Sequence, residues 1–413
     1  MKKRIAALVL AACMVLPLLG CSGRMSAQNL TGGVAARTIS TQTDLTDGSA
    51  AVMDFAAALL QQTAGKEGVL LSPVSLLYAL GMTANGASGE TLAQLEQVTG
   101  MDRDTLNDYL YTYRMSLPEN TKKCKLSLAD SIWVRDIFRV EDSFLDSCVN
   151  YYDAEVYRSA FDQSMADDLN RWVSDKTDGM IDKLLEEAPG DLTMLYLVNA
   201  VCFDAKWQEP YEKSQLQEGA VFTAADGTRQ TADLLWSQES IYLADDNTTG
   251  FMKYYDGGRY AFVGLLPSED VSLEDYIAGL TGGKLHALLT GHSYGQVEAA
   301  IPRFTASSSL ELGEALRRMG VTDAFDVARA DLRAMGGAAN DQLHISSVLQ
   351  KTYLELDENG TRAAAVTVVT NDTAAAPAEP CRVVLDRPFV YMIVDTHANL
   401  PLFLGTVTQM NAA

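Results

Sequence analysis

The chain has 413 residues, 47% of them apolar, a formal net charge of −22 and six cysteines. Lys2, Lys3 and Arg4 contribute +3 at the extreme N-terminus, so the rest of the chain carries about −25. This balance excludes electrostatic binding to nucleic acid or to anionic lipid, and the apolar share is enough for a large core.

Residues 1–20 read as a lipoprotein signal peptide. A basic start is followed by the apolar run Ile5 to Leu19, and Leu18-Leu19-Gly20-Cys21 has the form of a bacterial lipobox. Cys21 is then the first mature residue and the lipidation site, giving a secreted protein anchored at the cell surface through acyl chains. Residues 21–48 are rich in Ser, Thr, Gly, Ala, Gln and Asn and read as a lipidated flexible tether spanning roughly 28 Å. The folded domain is 49–413.

Val52, Phe55, Ala56, Leu59 and Leu60 recur at helical spacing over 49–64. Val69-Leu70-Leu71 is a short strand. Ser72 and Pro73 form a cap and first turn for a helix over 74–85 that is apolar nearly all round and therefore buried. Further helices are expected over 90–98, 103–115, 142–151 and 167–187, and an alternating strand over 126–134. LTMLYLVNAVCFDAKW, from Leu192, carries one Asn in an apolar run and suits a central strand covered on both faces. Strands follow at 220–222, 251–255, 260–266, 296–301 and 348–356, with a helix over 310–318 stopped by Gly320. Three strands make up the tail. Helices first and a large, mostly antiparallel sheet system afterwards make an α+β chain.

The stretch 356–377, LDENGTRAAAVTVVTNDTAAAP, is unlike the rest. Asp357-Glu358-Asn359-Gly360 is a turn signal, and Thr361 to Ala376 then contains no Pro or Gly and, apart from Arg362, no large side chain. In an extended conformation Thr361, Ala363, Ala365, Thr367 and Val369 share one uncharged face, with Arg362 on the other. Such a segment fits an exposed loop able to slide into a sheet, or an ordinary long loop closing an edge strand.

Catalytic chemistry finds little support. Gly291-His292-Ser293-Tyr294-Gly295 matches the G-x-S-x-G pattern, but a helix-like KLHALLTG precedes it and a strand follows, the reverse of a nucleophile elbow. The four histidines, His286, His292, His344 and His397, show no metal-ligand spacing, so neither a metal nor a cofactor is expected. Beyond Cys13 and Cys21, the thiols Cys124, Cys148, Cys202 and Cys381 make no CxxC or metal pattern, and Cys202 reads as a buried small hydrophobe.

From about Ser49 to the end, the chain resembles a serpin. The resemblance rests on LSPVSLLYALGMTANGASGETLAQL, LNRWVSDKTDGMIDKLL, LVNAVCFDAKW, VEAAIPRF with LGEALRRMGVTDAF, and RPFVYMIVD with PLFLGTV. It implies the serpin fold, with N-terminal helices, a large central sheet, further sheets and an exposed reactive loop. It implies no enzyme but an inhibitor of extracellular serine proteases, acting as a monomer through a covalent complex. Ser72, Pro73, Ser75, Asn199, Trp207 and Gln350 fall in the region where the sheet opens. Glu358, Gly360, Thr361, Arg362, Ala363, Ala364 and Ala365 fall on the hinge. Counting along the family's loop from Glu358 puts the reactive bond at Ala374 and Ala375, and counting back from Arg387-Pro388-Phe389 moves it towards Pro377; the small residues Thr373 to Ala376 suit an elastase-like or subtilisin-like protease either way. Two positions depart from the family pattern: Arg362 replaces a hinge Glu, and Gln350 stands where a His is frequent. They leave a non-inhibitory surface binding protein as the competing reading.

Overall fold

The computed structural model describes residues 25–41, 43–336, 343–361 and 381–410. The first half contains β1 (Gln28–Asn29), α1 (Leu45–Thr63), β2 (Leu70–Leu71), α2 (Pro73–Gly86), α3 (Gly89–Thr99) and α4 (Arg103–Ser116). It continues with β3 (Cys124–Arg135), α5 (Asp142–Tyr152), β4 (Glu155–Ser159), α6 (Gln163–Lys176) and β5 (Leu195–Lys206). Then come β6 (Leu216–Thr223), β7 (Arg229–Asp245), β8 (Thr248–Tyr254), β9 (Tyr260–Pro267), α7 (Leu273–Ala278) and α8 (Gly282–Thr290). The chain proceeds through β10 (Ser293–Pro302), β11 (Phe304–Glu311), α9 (Gly313–Met319) and α10 (Arg333–Gly336). It closes with β12 (Ser347–Asp357), β13 (Gly360–Thr361), β14 (Cys381–Val384), β15 (Phe389–Asp395) and β16 (Leu400–Val407). This is the expected α+β architecture.

Two sheets carry the fold. One has seven strands in the order β1-β4-β3-β5-β13-β12-β11, and the other has nine, eight of them running β14-β10-β7-β8-β9-β15-β16-β2 with β6 paired to β7. β5 lies at the middle of the first sheet, antiparallel to β3 and parallel to β12. Its side chains alternate between two cores. Leu195, Leu197, Val201, Phe203 and Ala205 join the large core shared with α1, α2 and the second sheet. Tyr196, Val198, Ala200 and Cys202 pack under α6 with Trp133, Met165, Leu169 and Trp172. That two-sided cover is why the β5 sequence is a continuous apolar run rather than an alternating one. Helix α2 is buried along nearly its whole length, with Ser72 as N-cap and Pro73 at its first turn, where a missing N–H costs nothing.

Several boundaries differ from the sequence reading. Asp44 caps α1 by accepting from the Thr46 N–H, so that helix starts at Leu45. The helix expected over 167–187 is α6, which starts earlier and stops at Lys176. Asp178 (φ 51°) and Gly179 (φ 73°) turn left-handed there, and the Thr177 hydroxyl donates back to the Val173 carbonyl. The serine-rich segment before Leu310 is β11, paired residue for residue with β12. The helix expected over 310–318 therefore shortens to α9.

The expected free tether over 21–48 also needs correction, because residues 25–41 lie on the folded body. β1 pairs antiparallel with β4, and the Leu30 N–H donates to the Val156 carbonyl at 2.8 Å. The Asp168 carboxylate accepts from the Ser26 and Ala27 N–H groups at 2.6 and 2.8 Å. Farther on, Arg37 N–H meets Asn150 and Ile39 N–H meets the Tyr111 hydroxyl. Only scattered apolar side chains of the segment are covered, Ala27 with parts of Met25, Leu30 and Val34, so hydrophobicity gives little sign of it. Backbone hydrogen bonds hold it, and almost any sequence supplies those.

Candidate functional site

The sequence-predicted residues gather along one line, the seam between β5 and β12. At one end of the seam the two strands are held apart by the two-residue strand β13. Gly360 pairs with Lys206 and with Asp357, and Thr361 with Ala205 and Leu356. The turn into β13 is made by Asp357, whose Oδ1 accepts from the N–H groups of Asn359 (2.7 Å) and Gly360 (3.1 Å). Gly360 has φ 151°, and a Cβ there would lie 2.1 Å from the Ala205 carbonyl oxygen, so only glycine fits. Thr361 is fully buried, and its hydroxyl is 2.8 Å from the Tyr255 hydroxyl. Thr361 thus lies inward on the face that the alternation marks as uncharged.

Trp207 fastens this end of the seam. Its indole N–H donates to the Asp357 carbonyl, its backbone N–H donates to Asn359, and the Tyr211 N–H donates to Glu358. The ring stacks on Tyr255 with centroids 4.4 Å apart. Beneath it the buried Lys253 pairs with Glu239 at 3.0 Å and faces the Tyr211 and Trp207 rings at 4.5 and 5.5 Å. Glu358 in turn pairs with Arg303 at 3.3 Å. Burial lifts the Asp357 carboxyl above its ordinary range.

Below β13 the strands pair directly, from Ser347↔Tyr196 to Tyr353↔Cys202. The N-terminus of α2 lies across this stretch. Gln350, fully buried and opposite Asn199, clasps Ser72 twice: its carbonyl accepts from the Ser72 N–H at 2.9 Å, and its amide donates to the Ser72 carbonyl at 3.0 Å. From the other side the Ser75 hydroxyl donates to Asp130 at 3.2 Å, and the Asn199 amide donates to the same carboxylate oxygen. The Thr352 hydroxyl adds a bond to the Leu70 carbonyl at 2.8 Å. This patch of polar groups is sealed inside an otherwise apolar core. Gln350 thus ties β12 to α2, while Asp130 ties β3 to β5 and α2, so these contacts flank the seam that the β5–β12 backbone pairing crosses.

Ser72, Pro73, Ser75, Asn199, Trp207, Gln350, Glu358, Gly360 and Thr361 are thus brought together. Arg362, Ala363, Ala364, Ala365, Ala374, Ala375 and Cys21 lie outside the described residues. Sequence reasoning missed Asp130, Tyr255, Lys253 and Arg303. Asp130 did leave a signal, an acid interrupting the alternating apolar strand LSLADSIWV; the other three depend on tertiary neighbours. Ser293 of the G-x-S-x-G pattern is exposed at the start of β10, after α8 has ended. Cys124, Cys148, Cys202 and Cys381 form no disulfide with one another. Among the described residues no helix is long and apolar enough to cross a membrane.

Residues 50–410 match the family described as Serpin (serine protease inhibitor). Serpin B6 of Pongo abelii is 31% identical over 368 residues, covering 85% of this chain and 96% of its own. Among solved structures, the native state of the thermophilic serpin tengpin matches with TM-score 0.88 and 40% identity, covering 93% of this chain and all of its own. The latent state of tengpin matches with TM-score 0.78 and 37% identity over 90% of this chain.

Proposed function

The chain belongs to the serpin family, and we propose that it inhibits extracellular serine proteases of elastase-like or subtilisin-like preference, with the bond between Ala374 and Ala375 as bait. The protease serine oxygen attacks the Ala374 carbonyl carbon, an ester forms, and the amide bond to Ala375 breaks with the proton passing to its nitrogen. The freed segment then enters the β5–β12 seam as a new strand, and the protease is displaced and distorted before water can hydrolyse the ester.

The observation that carries this reading is β13, a two-residue strand between β5 and β12 at the end of the stretch where those two strands pair directly. In its register each step forward along the loop is one step back along β5. Continued, that register sets Asn371 opposite Leu195, the far end of β5. Insertion exchanges the direct β5–β12 pairing for a ladder on both sides of the new strand. Each hydrogen bond is worth only about 1 kcal/mol net, but the set, with burial of the Thr361 face, drives the change in one direction. The stronger likeness to native than to latent tengpin supports a starting state with the loop not yet inserted. Gln350, with both ends of its amide bonded, supports a working opening region despite its departure from the family pattern.

Export and lipidation at Cys21 complete the reading. Because residues from Met25 onward dock on β4 and α6, only residues 22–24 link body and anchor, a reach of at most about 14 Å. The chain leaves the body beside Ser164 at the start of α6, at the end of the sheet opposite β13. An anchored molecule would then present its hinge away from the membrane.

The test is gel electrophoresis in SDS after mixing with elastase. A stable complex of the two chains is expected. Cleavage of the loop without any complex sinks the inhibitor reading and leaves the surface binding protein.

A further inference from the structure

The polar cluster under α2 contains one group that the mechanism above does not use. Asp130 sits on β3 opposite Asn199, on the face shared with the core residues Leu128 and Ile132, and is 6% exposed. Its Oδ1 accepts from both Ser75 and Asn199. Around it α2 brings Ser75 and Tyr78, β5 brings Asn199, and one strand farther β12 brings Gln350. Of these only Tyr78 titrates, and burial holds it far above neutral pH. Burial pushes the Asp130 carboxyl up to about 7, although the Asn199 and Ser75 hydrogen bonds pull the other way. A second fact points the same way: Asn199 Oδ1 is buried with no donor among the described residues. A carboxylate cannot supply one, but a carboxylic acid can, pairing with the amide through two hydrogen bonds.

We propose that Asp130 holds a proton in the closed sheet, donating it to Asn199 Oδ1, and that releasing this proton loosens the β3–β5–α2 junction and lets the sheet open. This rests on the loop-insertion reading. Asp130 is thereby a positioning residue, acting through Asn199 and Ser75 on the strand that must move. The sign follows from linkage. A carboxyl raised in the closed state and ordinary in the opened one stabilises closure fully below about pH 4, and this is lost as pH rises through about 7. Across that window the closed-to-open constant changes by up to about tenfold per pH unit, then levels off.

The experiment measures annealing of a fluorescent peptide of residues 361–374 into the purified protein between about pH 5.5 and about pH 8.5. The parent rate should rise about tenfold or more up to neutrality and then flatten. Asp130→Asn, an isostere of the protonated acid, should anneal slowly at every pH. Asp130→Ser, with no group to titrate, should also be flat, and it stands in should the first variant fail to fold. The melting temperature of the parent relative to Asp130→Asn should fall across the same range. A parent rate independent of pH, or a pH dependence kept by both variants, overturns the role of Asp130 alone. A parent that never anneals the peptide at any pH overturns the insertion reading and this proposal with it.

Discussion

Replacing Thr361 by Arg puts a guanidinium where the structure has a fully buried hydroxyl bonded to Tyr255. The Tyr255 hydroxyl then loses its partner inside the core, at about 1–3 kcal/mol. The charge itself costs several kcal/mol to desolvate. The variant therefore leaves β13 unformed in the native state and must meet these costs when the loop inserts. Even about 3 kcal/mol felt in the insertion step slows it about a hundredfold. Deacylation of the protease is untouched, so it overtakes insertion and the inhibitor becomes a substrate cut at the same bond. The assay is the stoichiometry of inhibition against elastase beside Arg362→Glu, which changes charge on the opposite face of the strand. Thr361→Arg should raise the inhibitor consumed per protease at least about tenfold, and Arg362→Glu should leave it nearly unchanged. Equal effects of the two substitutions would falsify the face assignment, and an unchanged Thr361→Arg would mean that the strand does not enter in this register.

Ala374→Arg should redirect inhibition from elastase-like to trypsin-like proteases, since a deep acidic pocket selects a long cation; an unchanged profile, with cleavage mapped elsewhere by mass spectrometry, places the bait wrongly. Gln350→Leu strips the Ser72 N–H and carbonyl of their buried partners, at about 1–3 kcal/mol each. It should lower the denaturant midpoint and speed spontaneous opening, and a midpoint equal to the parent's refutes the clasp. Cys21→Ser should abolish incorporation of labelled fatty acid and release the protein to the medium, whereas equal labelling of the variant rules out Cys21 as the anchor.

Part of this protein is legible from sequence because local rules decide it. The cap and first turn at Ser72-Pro73, the all-round apolar character of α2, the two-sided burial of β5 and the turn at Asp357–Gly360 follow from side-chain type and spacing. Strand alternation sets Thr361 on the uncharged face opposite Arg362, and Thr361 is buried. The rest depends on neighbours distant in the chain. Residues 25–41 look like a free tether because their attachment is made by backbone hydrogen bonds to β4 and to Asp168, which leave no hydrophobic pattern. The end of α6 is set by two left-handed residues rather than by a loss of helical composition. Asp130 shows in the sequence only as an acid out of place. Folding gives it its setting, opposite an Asn from β5 and beside a Ser from α2, and buries it so that its carboxyl is raised. Side-chain chemistry and spacing travel with the chain, but desolvation and pairing between remote segments exist only once the strands are in register.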